Sequence, residues 1–507
     1  MSSENKRVTL KPLGAELTAP AGTALRDLLF AQGVEFPCGG QGRCRGCRVR
    51  VLEGNVGINA AQRERLSAEE LAAGWRLSCQ CSLEDNLVIE LRQWDAAILV
   101  DESVFSFEPR DGLGVAVDLG TTTLVAQLLD LRTARVLGVR TALNAQARFG
   151  ADVMSRVRFG LEASGAAQLR DIIRLQIGSL VEQLVSSAGT EGQAVCIVTV
   201  VGNTVMHHLF CGLDVEPLSR YPFESSSLGA KSFAAAELGW KVAGDPRVRF
   251  LPCLGGFVGS DILAGIIATR IAEREELNAL VDLGTNGEIV VGNRERLLCA
   301  STAAGPAFEG ARISMGMRAA TGAISEVKLE GSEVHCRVLG NVTPQGLCGS
   351  GLVDAVAAGL DLGKIQASGR FANGTSNWEL SAPVTLSQSD IRELQLAKGA
   401  IAAGIRILLE RRGGSASNIG KLFLAGAFGN YINRTSAERI GLINLPAEKV
   451  EAAGNTALLG AKLALFDGDG ENSSYAQLRA RIEHVPLNAD ASFQEVFVEE
   501  MGFPEGS

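Results

Sequence analysis

The chain has 507 residues and a formal net charge of −9, from 48 Lys and Arg against 57 Asp and Glu. That acidic balance leaves no basic excess to displace phosphate counterions, which excludes a general nucleic-acid binder. The 46% hydrophobic content excludes disordered, collagenous and coiled-coil classes; the opening residues carry no secretory h-region and the apolar stretches are too short and broken to span a bilayer, so a cytoplasmic chain without a membrane partner is expected.

Residues 8–10 and 16–18 read as a hairpin. Residues 23–32 read as a short helix whose apolar face is Leu25, Leu28, Leu29 and Phe30. Five of the 11 cysteines then follow before residue 82, at positions 38, 44, 47, 79 and 81. Cys38, Cys44 and Cys47 share a Gly-rich loop, Cys38-Gly39-Gly40-Gln41-Gly42-Arg43-Cys44-Arg45-Gly46-Cys47, and Cys79 arrives later in Arg76-Leu77-Ser78-Cys79-Gln80. Three thiolates on one loop plus one distant thiolate suit a 2Fe–2S cluster, with glycines that let N–H groups approach the sulfurs. Zinc is the alternative, but structural zinc sites usually come as two close pairs. Arg43, Arg45 and Arg48 read either as solvated charge or as a basic rim for an acidic redox partner. Residues 49–52 and 87–91 read as later strands.

This segment resembles the adrenodoxin-like 2Fe–2S ferredoxins over about ninety residues. The resemblance implies a β-grasp domain over residues 1–92 with Cys38, Cys44, Cys47 and Cys79 as cluster ligands. Cys81 is the rival fourth ligand, and the Arg-Leu-Ser-Cys-Gln match favours Cys79.

Residues 93–112 have no sustained period and read as a linker. Strands and helices then alternate. Asp118-Leu119-Gly120-Thr121-Thr122-Thr123 is a tight turn between two apolar strands, and Asp282-Leu283-Gly284-Thr285-Asn286 repeats the device 164 positions later. Matching contexts point to an internal duplication, with lobes over residues 113–278 and 279–470 and an extension over 471–507. Gly and Thr in such turns present N–H groups and hydroxyls to phosphate. An Asp at a strand end, Asp118 or Asp282, suits Mg²⁺ held through water.

The segment between these turns carries a helix, residues 169–184, and a strand, residues 195–201, ending in Gly202-Asn203-Thr204-Val205-Met206-His207-His208. The adjacent histidines read as structural in preference to metal ligands. Gly259 and Ser260 are candidates for phosphate contact at a helix N-terminus, and Asp261 either activates water or caps that helix. Gly305, Gly349 and Ser350 lie on further Gly-rich turns that line a nucleotide cleft or are ordinary tight turns. Lys398, on a helix spanning residues 390–410, either reaches nucleotide or is exposed. Cys196, Cys211, Cys253, Cys299, Cys336 and Cys348 read as buried small hydrophobes.

The two hairpin turns resemble those of the acetate kinase, sugar kinase, heat-shock chaperone and actin superfamily. That resemblance implies a two-lobed, duplicated RNase H-like ATPase fold and gives Gly426, Ala427, Phe428 and Gly429 an adenosine-facing role. A Walker A loop is absent. The fold class is thus α+β followed by α/β: a β-grasp ferredoxin domain, then an actin-like ATPase domain.

A ferredoxin domain followed by Val-Asp-Leu-Gly-Thr-Thr-Thr, Gly-Asn-Thr-Val-Met, Ala-Gly-Pro-Ala-Phe-Glu-Gly, Cys-Gly-Ser-Gly-Leu-Val-Asp and Ala-Gly-Ala-Phe-Gly resembles the reductive activators of corrinoid proteins. The resemblance implies ATP- and Mg-dependent electron transfer from the cluster to a Co(II) corrinoid protein of methyltransferase type, giving Co(I). It implies an electron donor protein or reductase upstream, and leaves a homodimer open. Only residues 93–112 stand between the two parts, which leaves no room there for the separate middle domain of some members. The alternatives are an activase for a dehydratase or other low-potential reductase, a nucleotide-dependent redox-sensing module, and a small-molecule kinase.

Overall fold

A computed structural model describes residues 5–11, 15–30, 42, 47–91, 107–150, 152–190, 193–284, 286–310, 312–317, 319, 322–429, 431–468 and 473–505. Cys38, Cys44, Arg43, Arg45, Thr285 and the greater part of the linker lie outside the described residues, as does the side chain of Ala427.

The N-terminal unit is a five-stranded sheet in the order Ala15–Pro20, Asn5–Lys11, Leu87–Leu91, Arg48–Glu53, Trp75–Leu77. Alternation puts Val8, Leu10, Leu87, Ile89 and Leu91 on its buried face. The helix Leu25–Phe30 covers that face with Leu25 and Leu29. It starts later than the sequence suggests, because Thr23–Ala24 pairs with Ser82–Leu83 as a short strand. Gly22, at φ +87°, makes the preceding turn, and the β-branched Thr23 bonds back to the Pro20 carbonyl at 2.7 Å.

The remainder holds two six-stranded sheets built on one plan. In the first, the antiparallel meander Leu113–Leu119, Thr123–Asp130, Val136–Leu143 is extended beside its first strand by parallel Val195–Gly202 and Arg247–Phe250. In the second, the meander Asn278–Leu283, Gly287–Gly292, Leu297–Thr302 is extended in the same way by Leu422–Ala425 and Val450–Gly454. The sheets differ at their edges: Lys231–Ala234 joins the first beside Arg247–Phe250, and Ile482–His484 joins the second beside Leu297–Thr302. Apolar strands buried on both faces need helices on both sides. The helix Gly165–Ser187 supplies one of these with Leu169, Ile173, Ile177, Val181 and Leu184.

Two helices join the halves, Ser260–Thr269 and Thr456–Ala464. They approach closely because Gly460 has no side chain: a Cβ there would stand 2.1 Å from the Ala264 carbonyl oxygen. The ferredoxin-like unit rests on the second half through Asp27, which pairs with Arg337 at 2.8 Å. Desolvation raises the Asp27 carboxyl above its ordinary pKa. Phe107, at the end of the linker, packs on Phe466 with ring centroids 4.8 Å apart.

Candidate functional sites

At the N-terminal site, Cys47 opens the strand Arg48–Glu53 and Cys79 lies in the turn Ser78–Gln80. Ser78 draws them together, since its N–H and hydroxyl both donate to the Cys47 carbonyl, at 3.1 and 2.8 Å. Gly42, inside the cysteine loop, has φ +69°, and a Cβ there would sit 2.9 Å from the Gln80 side chain. A bare backbone in the loop thus packs on the residue that follows Cys79. The Cys81 thiol instead donates to the Leu77 carbonyl at 3.1 Å. Burial, and then the neighbouring Cys79, push it up to about 12, the behaviour of a protonated core thiol. Cys79 is only partly buried. These features fit a cluster held from the loop side by Cys79 with Cys81 behind it. Arg48 follows neither sequence reading: it bonds Glu70 at 3.0 Å and lies over the Trp75 ring.

At the second site the two hairpin turns meet the third. Gly426 lies directly beside Asp282, because Leu422–Ala425 pairs in parallel with Asn278–Leu283. It has φ +82°, and a Cβ there would be 2.6 Å from Asp282 Oδ1. Phe428 stacks on Phe308 at 4.6 Å, which ties this turn to the Gly305–Gly310 segment. Gly305 has φ +77° and open space around it.

Asp118, Asp261, Asp282 and Glu288 share this cleft, each partly buried. Burial raises Asp118 to about 6, opposed by a hydrogen bond from Asn455 Nδ2 at 2.9 Å. Burial and the Asp118 charge raise Asp282 to about 7. Asp261 is raised by burial, then by Asp282 and Asp118; Glu288 is raised by burial, then by Asp261 and Asp282. Four carboxylates in one field disfavour one another's ionisation, and a cation would relieve this. Among the described residues no three His, Cys, Asp or Glu side chains gather tightly enough to grip a metal directly. The arrangement fits Mg²⁺, which keeps part of its water shell.

Glu288 and Asn455 escaped the sequence reading. Glu288 was detectable, since it lies two residues beyond Asn286 in the repeated turn. Asn455 comes from the N-cap of the distant helix Thr456–Ala464, which no local pattern reveals.

Several sequence expectations are corrected. Asp261 does not cap its helix; Gly259 occupies the cap, and Asp261 is the second helical residue. The Ser260 hydroxyl is fully buried and bonds both the N–H and the carbonyl of Gly202, each at 3.1 Å, so it is not turned to phosphate. Gly259 is small because a Cβ would meet the Gly202 carbonyl at 2.3 Å. Ser350 donates to the Ser325 carbonyl at 2.8 Å, and Gly349 packs on the Phe308 backbone. Lys398 is neither exposed nor in the cleft: it is buried and donates to the carbonyls of Gly441 and Gly502 at 3.3 and 2.8 Å. His207 and His208, by contrast, follow the structural reading: both are buried, with His208 Nε2 against Ser225 Oγ at 2.8 Å. Cys196 is exposed, and Cys211 and Cys336 only partly buried, so the buried-hydrophobe reading fails for these three.

Comparison with known families and structures places the two parts of the chain. Residues 8–84 match the model described as 2Fe-2S iron-sulfur cluster binding domain. Residues 113–274 match the RACo middle region, and residues 276–507 match the C-terminal domain of RACo, the ASKHA domain. The RACo middle region thus falls on the first half of the duplicated part and not within residues 93–112. The chain is 34% identical over 414 residues to the corrinoid activation enzyme RamQ of Eubacterium limosum, covering 76% of this chain and 69% of that protein. It is 27% identical over 424 residues to the [Co(II) methylated amine-specific corrinoid protein] reductase of Methanosarcina barkeri, covering 77% of each. A solved reductive activator for corrinoid, iron-sulfur protein superposes with a TM-score of 0.67 at 28% identity, covering 99% of this chain and 98% of that one. No helix among the described residues is long and apolar enough to cross a membrane.

Proposed function

The chain belongs to the family of reductive activators of corrinoid proteins, and from that premise we propose how its residues divide the work. It is an ATP-hydrolysing iron–sulfur enzyme that reduces an inactive Co(II) corrinoid protein to Co(I). The observation that carries this reading is the presence on one chain of the Cys47–Cys79 site and the carboxylate-lined cleft between duplicated halves.

When bound, the 2Fe–2S cluster supplies a single electron. Cys38, Cys44, Cys47 and Cys79 hold it, with Gly42 and Gln80 closing the loop against Cys79. Plant-type centres lie near about −400 mV, and each ~59 mV of shortfall costs a factor of ten in a one-electron equilibrium. A strongly reducing Co(I) acceptor therefore makes the transfer uphill, and nucleotide supplies the bias.

In the cleft, Gly120, Thr121, Thr122, Thr123, Gly284, Thr285 and Asn286 present the two turns to the phosphates. Gly305, Gly349, Ser350 and the turn Gly426, Ala427, Phe428, Gly429 form the nucleotide wall, Gly349 and Ser350 through the helix backbone they begin. Asp118 and Asp282 are the residues that would hold Mg²⁺, which would supply charge stabilisation at the phosphates. Asp261, held ionised once a bound cation offsets the burial and neighbouring charges that raise its pKa, accepts a proton from the attacking water. Asn455 reaches across from the second half to Asp118, so closure of the halves is registered at the first turn. The partner is a methyltransferase-type corrinoid protein, an upstream reductase recharges the cluster, and the setting is cytoplasmic.

The test is spectroscopic. Pre-reduced protein is mixed anaerobically with a Co(II) corrinoid protein, with and without Mg–ATP. Co(I) absorbance is expected to grow only with ATP. Equal Co(I) without nucleotide, or none with it across candidate partners, would overturn the reading.

A further inference from the structure

The first phosphate turn rests on a floor of buried donors. Asn144 Nδ2 donates to the Gly120 carbonyl at 2.9 Å, Arg156 Nη2 donates to the Thr121 carbonyl, and the Asn144 N–H donates to the Thr122 carbonyl at 2.8 Å. A trans peptide plane points its N–H opposite to its C=O. Fixing the Gly120 and Thr121 carbonyls on the floor therefore turns the Thr121 and Thr122 N–H groups to the other side. Neither N–H has an acceptor among the described residues. Asn203 Nδ2 donates to Thr121 Oγ1 at 2.9 Å and fixes the hydroxyl as well.

Arg156 has 0% exposure and is among the largest fully buried side chains. Its other contacts are also neutral: the Gly150 carbonyl at 2.9 Å, Gln146 Oε1 at 3.3 Å and Met206 Sδ at 3.6 Å. Asp152 turns its oxygens to the Ser155 N–H and hydroxyl, at 2.8 and 2.7 Å. No carboxylate forms an ion pair with Arg156 among the described residues. Asp152 is a charged neighbour of Arg156 but gives its oxygens to Ser155, so the guanidinium is buried beside a carboxylate that does not pair with it, and further negative charge nearby would offset part of the cost of burial. On the far side of the turn the Thr121 and Thr122 N–H groups face outward as an anion nest, where bound negative charge would also interact with the guanidinium.

We propose that Arg156 and Asn144 are positioning residues for the nucleotide phosphates: they aim the Thr121 and Thr122 N–H groups, and the Arg156 charge answers the polyphosphate through the turn. This rests on the ATP-binding reading of the cleft. It assigns the pair no contact with nucleotide and no part in the chemistry.

The test is calorimetric binding of Mg–ADP and of adenosine to the full-length holoprotein and to Arg156→Gln and Arg156→Lys. Adenosine has no phosphate and reports the rest of the cleft. In Arg156→Gln the Mg–ADP dissociation constant is expected to rise about 10- to 100-fold, the worth of a charged hydrogen bond, while adenosine binding stays within about twofold. Arg156→Lys keeps the charge but loses the fork, and is expected to lose about 3- to 10-fold for Mg–ADP alone. Parallel losses for both ligands would show a merely structural role and overturn the proposal. Unchanged Mg–ADP affinity in folded Arg156→Lys would overturn it too, whether or not Arg156→Gln folds. A wild-type protein that binds adenosine and Mg–ADP equally would overturn the phosphate reading of the turn and this inference with it.

Discussion

The two Asp-Leu-Gly-Thr turns stand at the same point of two sheets built on one plan, yet different side chains pack beneath them. The first lies over a buried guanidinium and two asparagines. The second lies among Asp282, Glu288 and Asp261, with the bare Gly426 backbone against Asp282. A duplicated hairpin places a Gly-containing turn at the same point of each sheet, and the residues that pack beneath it decide what it serves. In our reading both turns face phosphate and each supplies a carboxylate, Asp118 or Asp282, to the cation; the division lies beneath them, with a guanidinium under the first and further carboxylates around the second.

The largest expected break in that division is Asp282→Asn. Removing this carboxylate should lower Mg–ATP turnover about 100-fold or more, read as phosphate release, because a cation loses charge stabilisation at the reacting phosphate. Cluster absorbance should not change, since no cluster ligand is touched.

The carboxylate side also predicts an unusual pH response. Asp118 and Asp282 have folded pKa values raised to about 6 and about 7, above their unfolded values. Their contribution to stability is therefore complete at low pH and is lost as pH rises through that window. In metal-free protein the melting temperature should fall between pH 5 and pH 8, on the order of several degrees if the ionised pair is unrelieved. Saturating Mg²⁺ should flatten the slope, and so should Asp282→Asn without metal. A metal-free melting temperature that rises across this range would remove the charge contrast.

Gly426→Ala sharpens the comparison from the backbone side. The residue has φ +82°, and the added methyl meets Asp282 Oδ1 at 2.6 Å. A loss of about 1–2 kcal/mol in unfolding free energy is expected from the left-handed backbone alone, with weaker Mg²⁺ binding from the displaced carboxylate. Chemical denaturation and metal titration read the two effects separately. The smallest expected effect is that of Asn455→Ala, which removes one hydrogen bond to Asp118. It should lower kcat/KM for ATP about 3- to 10-fold, and raise the acidic limb of the pH–rate profile, since that bond holds the Asp118 pKa down.

The sequence showed what is local. Cysteine spacing marked the cluster loop, and the repeated tetrapeptide marked both turns and the duplication that the sheets display. Glycines marked close approaches, though several serve packing: Gly259 and Gly349 are small because other backbones pass over them. What escaped was set by tertiary packing. Arg156 draws no reading from the sequence and Lys398 reads as reaching nucleotide or exposed, yet both are buried and bonded to backbone carbonyls of distant segments. Asn455 meets Asp118 only because two helices with Gly460 between them bring the halves together. Ser260 looked like a phosphate contact and proved to be a clasp on Gly202. Periodicity records which face of a helix is apolar, and it carries no information about which remote carbonyl awaits a buried donor.

The coupling of the two sites is tested most directly by Co(I) formation in Asp282→Asn protein. The variant, with its cluster pre-reduced, is mixed with Mg–ATP and a Co(II) corrinoid protein that the wild type activates. The account predicts an intact cluster spectrum and no Co(I) absorbance above the nucleotide-free control. Full Co(I) formation by this variant would contradict it, because electron transfer would then proceed without the carboxylate that ties the nucleotide to the cleft.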